Sequence, residues 1–207
     1  MTEQIKMTIG LSCVVKNEER FIYYALSSIK RYCDKVFVID NESTDRTAAE
    51  IRRAGIEPHS MEGSLKDLRN EAQEELDCDW IWWIDGDECW TKKEADKAYA
   101  AILKYDKDLT VSILNFNYIR FVNDRYHQDG RHYKMPRIYR NDVQMYGKSF
   151  PVAQDALARR EEDLIIVRGI NTQEVRVDEP YVQDIDATFY HYAECNTYLQ
   201  RMQKWYG

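Results

Sequence analysis

The stretch Asp79-Trp80-Ile81-Trp82-Trp83-Ile84, apolar after its first residue and cut off at once by Asp85-Gly86-Asp87-Glu88, constrains the chain more than any other. A short run of β-branched and aromatic residues bounded by turn formers reads as a strand buried on both faces, which needs neighbours on either side and helices above and below. Such a strand delivers its terminal acids to the C-terminal edge of a sheet, where open α/β sheets place their ligands. Asp85 and Asp87 flank a glycine, so both carboxylates can turn toward one point, as a hard divalent cation shared with phosphate oxygens requires. Asp-Gly is also ordinary turn chemistry, so a strand that simply ends in a polar turn reads as well from these residues alone.

The rest of the first half alternates around that strand. Residues 7–15 form an apolar, β-rich run ended by Lys16-Asn17-Glu18-Glu19, and Ile22, Ala25, Leu26, Ile29 and Cys33 then recur at helical spacing. A second strand, residues 35–39, also ends in an acid, Asp40; the cap and turn formers Asn41-Glu42-Ser43-Thr44-Asp45 lead into a helix that Gly55 closes. Residues 56–59 suit only an edge strand because of Pro58. Ser64-Leu65-Lys66-Asp67 and Thr91-Lys92-Lys93-Glu94 are capping-box starts for two more helices, the first presenting Leu65, Leu68, Ala72 and Leu76 on one face. Repeated strand-helix alternation through Tyr105 predicts an α/β fold with a largely parallel central sheet covered on both faces.

After Asp108 the pattern changes to strands without long helices between them: 110–116, 118–122, 133–139 and 164–167, with Asn123-Asp124 and Asp129-Gly130 as turns and a short strand at 187–191. A closing helix is expected over 194–205. The simplest account is one domain, 1–207, with halves 1–108 and 109–207. At 207 residues with 44% apolar content the chain can build a sizeable core. Lys and Arg total 29 against 36 acids, a net charge of −7, which argues against a nucleic-acid partner. No run reaches the roughly 18 apolar residues of a membrane span. Residues 1–6 lack the apolar core of a signal peptide. Five scattered cysteines without a CxxC pair read as reduced thiols in a cytoplasmic protein. The aromatic segment 198–206 suits a core-packing helix first, with docking on a partner or on a membrane surface as the alternative.

Four segments, in order and spacing, resemble the family 2 glycosyltransferases of GT-A fold: Leu11-Ser12-Cys13-Val14-Val15-Lys16-Asn17-Glu18-Glu19, Val38-Ile39-Asp40-Asn41-Glu42-Ser43-Thr44-Asp45-Arg46-Thr47, Asp67-Leu68-Arg69-Asn70-Glu71-Ala72 and Trp83-Ile84-Asp85-Gly86-Asp87-Glu88. Pro136-Arg137-Ile138-Tyr139-Arg140 and Phe189-Tyr190-His191-Tyr192 resemble segments of the branch that includes lipopolysaccharide core glucosyltransferases. The resemblance implies a nucleotide-diphosphate sugar donor, a UDP-sugar in the first instance, a Mn2+ or Mg2+ ion, and inverting transfer to a hydroxyl of a glycan, lipid-linked or other acceptor. It implies Asp87 as the chief metal ligand and Asp85 as a group reaching metal or ribose. Val14, Lys16, Glu18 and Asp40 would line the base and ribose pocket, Arg69 would face the nucleotide, and His191 would complete the metal shell or touch the diphosphate. Each has a plainer reading: a surface arginine for Arg69, a helix cap for Asp40, a first-turn acid for Glu18, a packed side chain for His191.

An inverting transfer needs a carboxylate beside the acceptor hydroxyl. Where the related glucosyltransferases carry a His-Glu pair, this chain reads Tyr146-Gly147-Lys148-Ser149-Phe150-Pro151-Val152-Ala153-Gln154-Asp155, with Ala153 and Gln154 in register. Glutamine cannot take the proton, so Asp155 is the candidate base, with Glu161, Glu162 and Asp129 in reserve. Gln154 also keeps open a scaffold subunit that binds a nucleotide sugar without turning it over. An apolar strand ending in Asp-x-Asp further describes phosphatases of the haloacid dehalogenase type, but those carry Thr or Val where this chain has Cys89.

Overall fold

The computed structural model describes residues 6–122, 126–128, 130, 133–141, 143–145, 157–159 and 182–194. Ten strands and four α-helices are found among them: β1 (Ile9–Val15), α1 (Ile22–Ile29) with a following 3₁₀ turn (Lys30–Tyr32), β2 (Lys35–Asp40), α2 (Thr47–Arg53), β3 (His59–Ser60), α3 (Leu65–Leu76), β4 (Trp80–Trp83), β5 (Glu88–Trp90), α4 (Lys92–Tyr105), β6 (Ile113–Val122), β7 (Tyr133–Arg140), β8 (Val143–Met145), β9 (Leu157–Arg159) and β10 (Val182–Glu194).

Eight strands form one sheet in the order β3-β2-β1-β4-β7-β6-β10-β5. The first four run parallel, β7 is antiparallel to both β4 and β6, and β10 is parallel to β6 and antiparallel to β5. This is the expected α/β architecture, a parallel first half extended by mixed strands, and it agrees with a GT-A fold. From β1 the chain steps outward to β2 and β3, then returns to place β4 on the other flank of β1. That reversal makes the C-terminal ends of β1 and β4 the topological switch point, the usual ligand position in such sheets.

The helices form where the sequence patterns place them. Ile22, Ala25, Leu26 and Ile29 of α1 are buried, while Cys33 falls beyond the helix. Ser64 and Thr91 accept hydrogen bonds from the amides of Asp67 and Glu94, capping α3 and α4, and Gly55, at φ 73°, follows the end of α2. The core lies on both faces of β4: Trp80 and Trp82 pack with Leu26, Trp90, Ile102, Phe116 and Phe189 on one side, and Ile81 and Trp83 with Leu76, Ile113 and Tyr139 on the other.

Four features depart from expectation. The segments 110–116 and 118–122 are one strand, β6, because Asn117 continues the ladder opposite Lys134 instead of breaking it. The expected short strand at 187–191 is the end of the longer β10, whose polar first half still pairs with β6. The strand β5 and the hairpin of β8 with β9 were not expected at all. The strand over 164–167, nearly all of the closing helix, Cys195, and the turn residues Asn123, Asp124 and Asp129 lie outside the described residues.

The placement of β5 forces the sheet to curl. Three strands separate β4 from β5 in the sheet, so about 19 Å of strand spacing lies between them. Only residues 84–87 join them, a connection that spans roughly 17 Å when fully extended. The sheet therefore wraps back on itself, and Trp90 of β5 reaches Trp82 of β4 with ring centroids 5.3 Å apart. The short Ile84-Asp85-Gly86-Asp87 connection bridges that curl, where it meets Arg137 of β7 and Tyr192 of β10.

Candidate active site

Two loops end β1 and β2 and are joined to each other. The amide of Asn17 donates to Ser43 Oγ at 2.9 Å, the amide of Thr44 to Asn17 Oδ1 at 2.8 Å, the amide of Glu18 to Thr47 Oγ1 at 2.7 Å, and the amide of Glu19 to Asp45 Oδ2 at 3.2 Å. Asn17 and Glu42 adopt left-handed backbone, φ 56° and 52°, which permits these close turns. Asp40 is buried and its Oδ1 accepts from the amide of Ser43 at 3.0 Å. It thus braces the loop rather than capping α2, whose first amide bonds to Asp45. Val14 is buried against Ile39, Leu68 and Ala72, and Lys16 is half-buried just past the end of β1.

The loop after β4 rests on that pair. A Cβ on Gly86 would stand 2.8 Å from Val15 Cγ2 and 2.9 Å from Glu18 Cγ, so only glycine lets the loop seat on the end of β1. Glu18 is buried beneath it.

Asp85 and Asp87 meet different surroundings. Arg69 Nη2 donates to Asp85 Oδ1 at 2.7 Å, Trp83 Nε1 donates to the same oxygen at 3.1 Å, and Arg137 Nη2 donates to Oδ2 at 3.3 Å. Both guanidinium groups lie over the Trp83 ring, at 3.8 Å and 4.5 Å from its centroid. Burial alone would raise the Asp85 pKa, but the two arginine charges outweigh it and hold the carboxyl at about 2. Arg69 is therefore not a surface arginine: it is 3% exposed and belongs to the site.

Asp87, 2% exposed, points instead to β10, where His191 Nε2 stands 3.6 Å from its Oδ1. Its backbone carbonyl accepts from the amide of Tyr192 at 2.9 Å, which ties the loop to β10. His191 is partly exposed, its ring edge-on to Tyr118, and its Nδ1 is buried with no hydrogen-bond partner among the described residues. Among the described residues no three His, Cys, Asp or Glu side chains form a ready-made metal cluster. The Asp87 and His191 pair nonetheless suits a divalent cation that takes its remaining ligands from a substrate diphosphate and water, as Mg2+ in particular does.

Glu88 and Arg137 were not foreseen as site residues. Both are fully buried, and Arg137 Nε donates to Glu88 Oε2 at 2.8 Å while its Nη2 makes a further, short bond to Oε1. Burial pushes the Glu88 carboxyl up to about 7 against the pull of Arg137. One signal was available: an arginine between Met135 and Ile138 in an apolar strand demands a buried counter-charge. Asp155, Glu161, Glu162, Asp129 and Gln154 lie outside the described residues.

Residues 13–164 match the model of Glycosyl transferase family 2. An uncharacterized glycosyltransferase of Rickettsia bellii is 26% identical over 171 residues, covering 80% of this chain and 55% of that protein. Another, from Rickettsia conorii, is 28% identical over 110 residues, covering 52% of this chain and 39% of its own length. The chain thus spans about half the length of the curated relatives it matches. Among solved structures, glucosyl-3-phosphoglycerate synthase from Mycobacterium tuberculosis, crystallised with Mn2+ and UDP-glucose, is similar with a TM-score of 0.47 and 18% identity over 54% of this chain and 44% of that one. Among the described residues no helix is long and apolar enough to cross a membrane.

Proposed function

Because this chain belongs to glycosyl transferase family 2, we propose that it is a metal-dependent inverting glycosyltransferase that moves a sugar from a nucleotide-diphosphate donor, in the first instance a UDP-sugar, to a hydroxyl of a glycan or lipid-linked acceptor. The observation that carries this reading is the split between the acids of one turn: Asp87 faces His191 at 3.6 Å, while Asp85 is held by two arginines.

Asp87 and His191 would hold Mn2+ or Mg2+, which when bound offsets the negative charge that gathers on the departing nucleoside diphosphate. Two guanidinium groups beside Asp85 repel a dication, so this carboxylate suits the ribose better: its lone pairs still have room for a hydroxyl donor. The pair of loops at 16–19 and 41–47 would form the floor under the nucleoside, with Val14, Lys16, Glu18 and Asp40 along it and Arg69 behind. Proton removal from the acceptor falls to Asp155 in this reading, with residues 109–207 forming the acceptor half of a single domain. An Asp85 clamped by arginines makes a poor phosphoryl nucleophile, which counts against a phosphatase.

A thermal-shift series over nucleotides and nucleotide sugars, with and without Mn2+, tests the reading, because a ligand that binds only the folded state raises the melting temperature. UDP and its sugars should raise it in the presence of Mn2+ and far less with chelator. Equal shifts with and without the ion would contradict metal dependence, and no shift with any nucleotide would contradict the donor class.

A further inference from the structure

Arg137 lies 49 residues beyond Glu88 in the chain and on a different strand, yet it bonds both ends of the turn that carries Asp87. Its Nη2 reaches Asp85 Oδ2 at 3.3 Å and also Glu88 Oε1, while its Nε reaches Glu88 Oε2 at 2.8 Å. The turn closes on itself through two further bonds: the amide of Glu88 donates to the carbonyl of Asp85 at 3.1 Å, and the amide of Asp85 donates to Glu88 Oε2 at 3.2 Å. Glu88 therefore accepts from the backbone at the start of the turn and from the arginine at once. The guanidinium is itself fixed: its Nη1 donates to the carbonyl of Pro136 at 3.0 Å, and it lies 4.5 Å from the Trp83 ring centroid and 5.0 Å from that of Phe189.

We propose that Arg137 and Glu88 are positioning residues that clasp the Asp85-Gly86-Asp87-Glu88 turn so that the Asp87 carboxylate is preset opposite His191 for the cation. The inference rests on the metal-binding reading of Asp87 and His191. The geometry fits that task better than simple support of the fold. A buried charge network costs desolvation that packed apolar side chains would not, whereas a planar fork with several donors can bond two carboxylates in one orientation. Gly86 cannot supply the rigidity, since it is the most pliant residue of the turn. The bonds from Arg137 and Glu88 replace what the glycine gives up.

The test uses Arg137→Lys, which keeps the charge but cannot bond both carboxylates in that geometry, and Glu88→Gln, which keeps the shape and removes the buried charge. In the ligand-free protein, amide hydrogen exchange over residues 84–88 should rise in both variants relative to wild type, with the amides of β1 and β2 unchanged. Manganese-dependent UDP binding, measured by calorimetry, should weaken about 10-fold to 100-fold, as loss of support behind a metal ligand does. With chelator in place of Mn2+, the residual UDP affinity of Glu88→Gln should equal that of wild type, because the pair presets only the ligand of the cation. Unchanged exchange in the turn of a folded variant overturns the proposal. So does raised exchange with wild-type manganese-dependent UDP affinity, which would leave the pair a purely structural role. If wild-type protein binds UDP equally with and without Mn2+, the metal reading itself fails and this inference with it, an outcome separate from failure of the variants alone. Should Arg137→Lys not fold, Glu88→Gln decides by the same readings.

Discussion

The ends of β1 and β2 and the end of β4 lie side by side on one sheet edge but are held in different ways. Residues 16–19 and 41–47 are sewn together by short polar side chains bonding backbone amides, among them Ser43, Asn17, Asp45 and Thr47. Residues 85–88 are held by the buried guanidinium groups of Arg69 and Arg137. Three of these four bonds go to neutral side chains, and a neutral side-chain bond is worth about 1 kcal/mol and can be lost singly. A buried ion network fails as a unit, because removing one partner leaves the other charge in a dry interior. On the proposed function, a floor for a nucleoside tolerates the first kind of construction, and a carboxylate that must meet a cation in one geometry gains from the second.

The contrast can be broken most severely at Asp87. Asp87→Ala should abolish manganese-dependent UDP binding, a loss of roughly 100-fold or more, about 2.7 kcal/mol, with the melting temperature of the free protein little changed; calorimetry and a thermal melt read both. Arg69→Ala should come next. Asp85 keeps Arg137 and is partly exposed, so the loss of stability in denaturant unfolding should be about 2 kcal/mol. The same variant should shift acid unfolding. A carboxyl held at about 2 instead of 3.8 stabilises the fold above its ordinary pKa and loses that contribution as pH falls toward 2. With one arginine gone, that stability should be lost at higher pH, and a circular-dichroism acid titration should show the midpoint raised.

Gly86→Ala should cost about 1.5 kcal/mol, since the new methyl must push aside Val15 and Glu18. It should also weaken UDP binding, because the turn lifts off the end of β1. Ser43→Ala, at the other loop pair, should be mildest, about 1 kcal/mol by denaturant unfolding, with manganese dependence of UDP binding intact. A Ser43→Ala effect as large as that of Arg69→Ala would erase the distinction between the two constructions.

What could be read from the sequence follows the same divide. The capping residues Ser64 and Thr91 and the glycine after α2 act within a few residues of their own position, so local pattern reveals them; the acids after Trp83 show because the apolar strand stops at them, although their partners lie far along the chain. The parallel order of the first half follows from the alternation of strands and helices. Arg137 carries no local mark of its partners, which lie 49 and 52 residues away and become neighbours only because the sheet curls. That curl depends on β5, three residues long and hidden directly behind the acid turn. In β6, Asn117 reads as a break, yet the strand runs through it, because Lys134 pairs opposite and the ladder is indifferent to side-chain polarity. Arg69 also suits a surface position from sequence alone, but the helix face of Leu68, Ala72 and Leu76 is wide enough to carry it inside.

The central claim is that one acid of the turn grips a cation while the other stays with its arginines. A crystal grown with Mn2+ and UDP tests it most directly. The account predicts manganese bonded to the Asp87 carboxylate, His191 and the diphosphate, with Asp85 still paired to Arg69 and Arg137. Manganese on Asp85 with the arginines displaced, or UDP bound along the sheet edge with no ion at Asp87, would contradict it.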